Sequence, residues 1–265
     1  MKITFAESAK ADIAAFIVDE GDQLPEAAQA LDKASGGLLS EALEGGRFDG
    51  KTGQQAIVVL PKGAEARRAV LIGGGKPKKR DTRALENIGA HLVKAIAASG
   101  FKTASLVAGD AESAARAAVG AKLAAYRFDT YFTKLKPEQK PSLSGLTVVS
   151  PDPKAAKAAY GPLDAATDGT YLARDLVNLP PNDLYPESFA AKVKELAPLG
   201  LEIEVLGEKQ MAKFATNDNR VPNATEIAPK TTAWKNAMAR PGIVCIISKW
   251  HCRQSGCSSD DSRAS

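Results

Sequence analysis

Over roughly its first 150 residues the sequence alternates short β-prone apolar runs with helix-length amphipathic segments, and this alternation restricts the chain to an α/β layered fold. Ile3-Thr4-Phe5 reads as a short strand, and Ala14-Ala15-Phe16-Ile17-Val18 as a strand buried on both faces. From Pro25, the residues Ala27, Leu31, Ala34, Leu38 and Ala42 keep a helical rhythm despite Gly36-Gly37, which predicts one helix ending at Gly45-Gly46. Two nearby runs, Gln55 to Leu60 and Arg68 to Ile72, predict a hairpin, so the sheet is expected to be mixed. Asp81 is a good N-cap for a helix with Leu85, Ile88, Leu92 and Ile96 on one face. A strand at Ala104–Ala108, an alanine-rich helix through Val119 and a strand at Leu146–Val149 complete the pattern. The expected architecture is a mixed sheet flanked by helices on both faces.

At 265 residues, with 44% apolar and 25% charged side chains, the chain has enough material for one large or two smaller cores. No apolar run approaches the roughly 20 residues a membrane helix needs. The first residues reach Glu7 before any secretory apolar segment forms, so a cytoplasmic location is expected and no membrane partner. A net charge of +4 is too mild to imply a nucleic-acid partner by itself.

A helix beginning near Lys154, with Gly161-Pro162 as a place for an interruption, runs toward Arg174 and ends before Pro180-Pro181, which bar helical geometry at the preceding residue. Asn182-Asp183 suit a turn, and Pro186 sits where a new helix begins. Leu201–Val205 alternates as a strand, and 208–214 is a short helix candidate. Beyond residue 215 the periodicity is lost. Leucine does not occur after Leu206, while Cys245, Cys252, Cys257, Trp234 and Trp250 all lie past residue 230. The organisation expected is an N-terminal α/β domain at 1–150, an interdomain helix and hinge at 151–180, the opening of a second domain at 181–215, and an unrelated, disordered polar tail at 216–265 in which Ile243–Ile247 is an isolated β-prone run.

Two stretches carry a family resemblance. Arg174-Asp175-Leu176-Val177-Asn178-Leu179-Pro180-Pro181-Asn182 followed by Pro186 resembles the start of the catalytic domain in the leucyl (cytosol) aminopeptidase family. Tyr126-Arg127-Phe128-Asp129 resembles the aromatic signature that ends that family's N-terminal domain. The resemblance implies an N-terminal domain with macro-domain-like architecture, a metallopeptidase that removes N-terminal amino acids from peptides, two divalent metals (manganese or zinc) in a full-length member, and hexameric assembly. The family's Gly-Lys-Gly-x-x-Phe-Asp-x-Gly-Gly and Asn-Thr-Asp-Ala-Glu-Gly-Arg motifs do not occur here. No catalytic or metal residue is therefore carried over, no cofactor is expected in this chain, and a truncated or frameshifted, inactive form is the expectation.

Other candidate sites each have a structural alternative. Lys76, Lys78, Lys79, Arg80 and Arg83 form the densest positive patch, where nonspecific DNA contact competes with a solvated loop. Gly73-Gly74-Gly75 lacks phosphate-loop spacing and reads as a strand-end turn, with a nucleotide-type ligand as the alternative. Asp175 and Asp183 read as hydrogen-bonded structural residues rather than metal ligands. His251, Cys252, Cys257 and Asp260 have too loose a spacing for structural zinc. The aromatics from Tyr126 to Phe132 are expected to pack as core bulk. As binding alternatives to hydrolysis, the N-terminal domain alone would contact DNA, assemble with intact aminopeptidase subunits, or hold a nucleotide.

Overall fold

The computed structural model describes residues 1–207, apart from 22 and 47, together with the backbone of 243–247. The chain divides into two compact units, Met1–Val177 and Asn178–Ser265.

The larger unit is built on a six-stranded sheet. Its strands are β1 (Lys2–Ala6), β2 (Ile13–Asp19), β3 (Gln55–Val59), β4 (Arg68–Gly75), β5 (Thr103–Val107) and β6 (Gly145–Val149), in the order β1-β6-β5-β2-β4-β3. All neighbours are parallel except β3 and β4, which form the expected antiparallel hairpin with Ile57 opposite Val70. β2 and β4 lie inside the sheet, and so their side chains read as nearly continuous apolar runs.

Helices cover both faces. On one side, α3 (Thr82–Ile96), α4 (Ala111–Ala124) and the first part of α5 (Pro153–Asn178) close over a core that includes Ile13, Val70, Ile72, Ile88, Leu92, Leu106 and Val148. On the other, α1 (Glu26–Ala34) and α2 (Leu38–Glu44) enclose Phe16, Val18, Leu31, Leu39 and Leu71. Asp81 caps α3 as the sequence indicates, its Oδ1 accepting the Ala84 N–H at 2.7 Å.

The single helix expected from Pro25 to its end at Gly45-Gly46 is two helices. Gly36 and Gly37 take φ of 79° and 87°, a left-handed conformation that glycine adopts freely and that no α-helix continues through. Asp32 rebuilds the break from the last turn of α1. Its Oδ1 accepts the N–H groups of Leu39 (2.7 Å) and Ser40 (3.1 Å), and Oδ2 accepts the Ser40 hydroxyl at 2.6 Å. Conversely, α5 runs unbroken through Pro162. The residue before it, Gly161, has no Cβ to clash with the proline ring, which removes much of the usual bar to helical geometry there.

α3 and α4 approach unusually closely. A Cβ built on Gly120 would stand 1.7 Å from the Glu86 carbonyl oxygen, and one on Gly89 1.8 Å from that of Ala117. Each helix thus lays a backbone stripe against a glycine of the other.

In the smaller unit, α6 (Pro186–Lys194) packs Ala190 and Val193 against Ile203 and Val205 of β7 (Glu202–Leu206). β7 pairs in parallel with β8 (Ile243–Ile247), in register from Glu202 opposite Ile243 to Leu206 opposite Ile247. The run at Ile243–Ile247 is therefore not isolated, because a β-prone segment without local neighbours still finds a partner 40 residues away in sequence. The helix expected at 208–214, the polar stretch from 216 and the group His251, Cys252, Cys257 and Asp260 lie outside the described residues.

Candidate functional site

The two signature stretches contribute to two different local structures. In the larger unit, Tyr126 follows α4, and Arg174 and Asp175 lie on the last turns of α5. Tyr126 donates its hydroxyl to Asp175 at 2.8 Å, stacks edge-on with Tyr171 at 5.1 Å, and carries the Arg174 guanidinium over its ring at 5.2 Å. The C-terminal carbonyls of a helix have no partner within the helix. Here α5 supplies donors to two of the last carbonyls: the Tyr171 hydroxyl to Lys122 O, which the Ala125 N–H also reaches at 3.1 Å, and Arg174 Nη1 to Leu123 O at 2.9 Å.

One turn earlier, Lys122 Nζ is shared between Asp164 and Asp168, the latter at 2.5 Å, and the Tyr160 hydroxyl donates to Asp164 at 2.6 Å. Burial alone would lower the lysine and raise the aspartate, yet their mutual hydrogen bonds outweigh it, holding Lys122 above and Asp164 below their ordinary values. Burial, and then Asp164, push the Tyr160 phenol up. The buried residues of α5 are few, Ala156, Tyr160 and Thr167, so this polar group does much of the docking.

The sign of the pH dependence follows. The depressed Asp164 contributes stability above the ordinary carboxylate range that is lost as pH falls through its folded value; the raised Lys122 and Tyr160 contribute stability that is lost as pH rises through theirs. Lys122→Met is expected to cost about 1 kcal/mol near neutrality, since Asp168 is well exposed and the pair is partly screened. The loss of stability as pH falls below the ordinary carboxylate range should be shallower in the variant. Thermal melts of both chains over that range read it directly, and parallel acid profiles would mean that the cluster is not what docks α5.

Arg127 pairs with Asp129 at 3.1 Å and donates to Gln139 O at 3.2 Å, tying the exposed connector to the signature. The aromatics there are not core bulk, contrary to the sequence expectation. Phe128 and Tyr131 meet edge-on at 5.7 Å while Tyr131 and Phe132 are exposed, because the chain leaves the sheet at the end of α4. In the smaller unit, Pro180 to Leu184 form a turn in which Pro180 O accepts the N–H groups of Asp183 and Leu184, both at 2.9 Å. Asn182 lies in this turn, its amide 3.4 Å from the Asp183 carboxylate. Pro186 opens α6, where Ser188 Oγ accepts the Tyr185 N–H at 2.9 Å and donates to Asp183 O at 2.8 Å. Asn178 begins that unit.

The basic loop is divided by its contacts. Arg80 is half-buried, donating Nε to Gly74 O at 3.0 Å and pairing with Asp19, so it holds the end of β4 rather than offering itself to a phosphate. Lys76 stands 4.0 Å from Glu20. Lys78, Lys79 and Arg83 are exposed. The glycines preceding the loop are packed, not open: Gly73 N–H donates to Gln54 O and Gly75 N–H to Gly50 O, both at 2.9 Å. Asp81 occupies the N-terminus of α3.

Among the described residues no group of three or more His, Cys, Asp or Glu is placed to hold a metal ion, and no helix is long and apolar enough to cross a membrane. The described donors thus do not fit a two-metal centre.

Residues 15–135 match the N-terminal domain of the cytosol aminopeptidase family. The chain is 46% identical to a probable cytosol aminopeptidase of Caulobacter vibrioides over 201 residues, 76% of this chain and 41% of that protein. A probable cytosol aminopeptidase of Rhizobium etli is 34% identical over 257 residues, 94% of this chain and 52% of its own length. The chain thus spans about half, or less, of these relatives. An alignment over 94% of the chain must include residues beyond 215, where the sequence analysis expects an unrelated tail. Among solved structures, a tomato leucine aminopeptidase mutant superposes with a TM-score of 0.68 at 23% identity, over 80% of this chain and 46% of that one, which establishes the shared fold.

Proposed function

The chain belongs to the cytosol aminopeptidase family through its N-terminal domain, and from this premise we propose that it supplies the N-terminal part of a cytoplasmic, metal-dependent aminopeptidase while these 265 residues by themselves perform no hydrolysis. The observation that carries the second half is the donor set: the described residues gather no metal-binding cluster, and the sequence holds neither of the family's metal-binding motifs. Peptide hydrolysis of this class needs one metal to activate water and a second to bind the free amino terminus, with positive groups at the developing oxyanion. In a protein that also carries those groups, manganese or zinc would supply that chemistry. The residues described here do something else. The Tyr126, Tyr171, Arg174 and Asp175 contacts fix the end of α5, and the Pro180–Leu184 turn sets the start of α6 in the smaller unit.

The purified 265-residue polypeptide is expected to leave leucine amide untouched with or without added manganese or zinc. Turnover that a chelator abolishes, that metal restores, and that persists after removal of host aminopeptidases would overturn this reading.

A further inference from the structure

We propose that the outer edge of β3 is a self-pairing surface, on which a second copy of this chain adds its own β3 antiparallel about a two-fold axis at Ile57. The inference is independent of the hydrolase reading and rests on three observations.

The first is the direction of the backbone groups. Gly73 N–H donates to Gln54 O and Leu60 N–H to Arg67 O, and the β3–β4 register is continuous between these pairs. In an antiparallel ladder the hydrogen-bonded residues alternate. Gln54, Ala56, Val58 and Leu60 therefore face β4, and the N–H and C=O groups of Gln55, Ile57 and Val59 face outward. Among the described residues no strand lies on that side.

The second is the absence of edge protection. Strand edges are normally blunted by charge, proline, a bulge or a covering element. Gln55-Ala56-Ile57-Val58-Val59 has no charge, no proline and no register shift, and its side chains at Ile57 and Val59 are 46% and 69% exposed. The opposite edge, β1, carries Lys2 and exposed Thr4.

The third is self-complementarity. With Ile57 opposite Ile57 of the second copy, Gln55 falls opposite Val59 and Ala56 opposite Val58, and every outward-facing backbone group meets a partner of the opposite kind. The exposed Ile57 and Val59 come together on one face, an isologous arrangement in which each patch serves both copies. No like charges are brought together within the paired stretch. The nearest basic residues, Lys51 and Lys62, lie outside it, and Lys51 is engaged by Asp49 at 2.8 Å.

Sedimentation of the full chain across a concentration series, with amide exchange on the same samples, tests the assignment. The expected result is a monomer–dimer equilibrium in which the amides of Gln55, Ile57 and Val59 gain protection as concentration rises. Ile57→Lys places two ammonium groups at the axis and should weaken association at least about tenfold, while an unchanged circular dichroism spectrum and melting profile show that the exposed position is tolerated. A chain that stays monomeric at about 100 μM, where a dissociation constant of about 10 μM or tighter would leave most of it dimeric, would overturn the proposal. So would a dimer whose β3 amides exchange independently of concentration, or one that Ile57→Lys leaves intact, since either places the contact elsewhere. Monomeric chain that instead protects β3 only on adding an unrelated extended peptide would assign the edge to a different occupant and equally overturn self-pairing.

Discussion

Gly120→Ala is expected to destabilise the larger unit by about 3 kcal/mol or more, lowering its melting temperature by roughly 10 °C. Ordinary overpacking is relieved by the rotation of a neighbouring side chain. At this position the obstacle is backbone: the added methyl would lie 1.7 Å from Glu86 O and 2.4 Å from the carbonyl carbon, so α3 and α4 must separate. Separation opens gaps around Ile88, Leu92, Ala117 and Ala121, which sit in the same core, and each lost contact adds to the cost. Gly169→Ala is the control. It lies within α5 with no atom within 4 Å of the new Cβ, and there alanine should be neutral or stabilising by up to about 1 kcal/mol through helix propensity. Thermal or urea unfolding of the two variants beside the parent decides the matter, and equal melting temperatures would show that the helix pair yields easily.

Gly73→Ala should cost a comparable amount, about 3 kcal/mol, for a different reason. Its Cβ would stand 1.9 Å from the Lys51 carbonyl oxygen and 2.9 Å from the Gly50 carbonyl carbon, pushing the loop before β3 off the end of β4. The hydrogen bond from Gly73 N–H to Gln54 O would be lost with it, leaving a buried amide without a partner. Amide exchange should therefore accelerate at Gly73 and Gly75 in the variant. Melting with and without inorganic phosphate separates the two roles open to this glycine run. If inorganic phosphate raises the melting temperature of the parent and Gly73→Ala removes that effect, the strand end binds anions; if phosphate does nothing to either chain, the glycines are there to admit the neighbouring loop.

The strands were readable because each is a short apolar run bounded by glycine, proline or charge, and a buried parallel strand needs little more than that. The helix pair α1 and α2 was not. The apolar rhythm from Ala27 to Ala42 passes through Gly36-Gly37 without losing phase, and only the backbone torsions show that the chain turns there. The basic loop misled in another way. Arg80 reads as one more positive charge among Lys76, Lys78 and Lys79, yet its partner Asp19 is 61 residues away and no local pattern announces it. The contacts of Tyr126 and Arg174 were legible as a signature but not as a mechanism. Resemblance selects those residues, while in the fold Arg174 donates to the Leu123 carbonyl at the end of the helix that closes at Ala124.

The position of β1 has a consequence for the order in which the chain is made. Among the described residues its only sheet neighbour is β6, with Lys2 beside Gly145 and Ala6 beside Val149. β1, made before the other five strands of this sheet, must therefore wait for nearly the whole larger unit to be synthesised before β6 is there to pair with it. At 5–20 residues per second that interval is about 7 to 30 s, far longer than the microseconds in which a hairpin such as β3–β4 closes. During it, Ile3 and Phe5 travel as an unsheltered apolar segment, and the central strands β2, β4 and β5 can assemble without them. β1 can thus enter the sheet only once β6 exists, although it is the earliest made of the six strands.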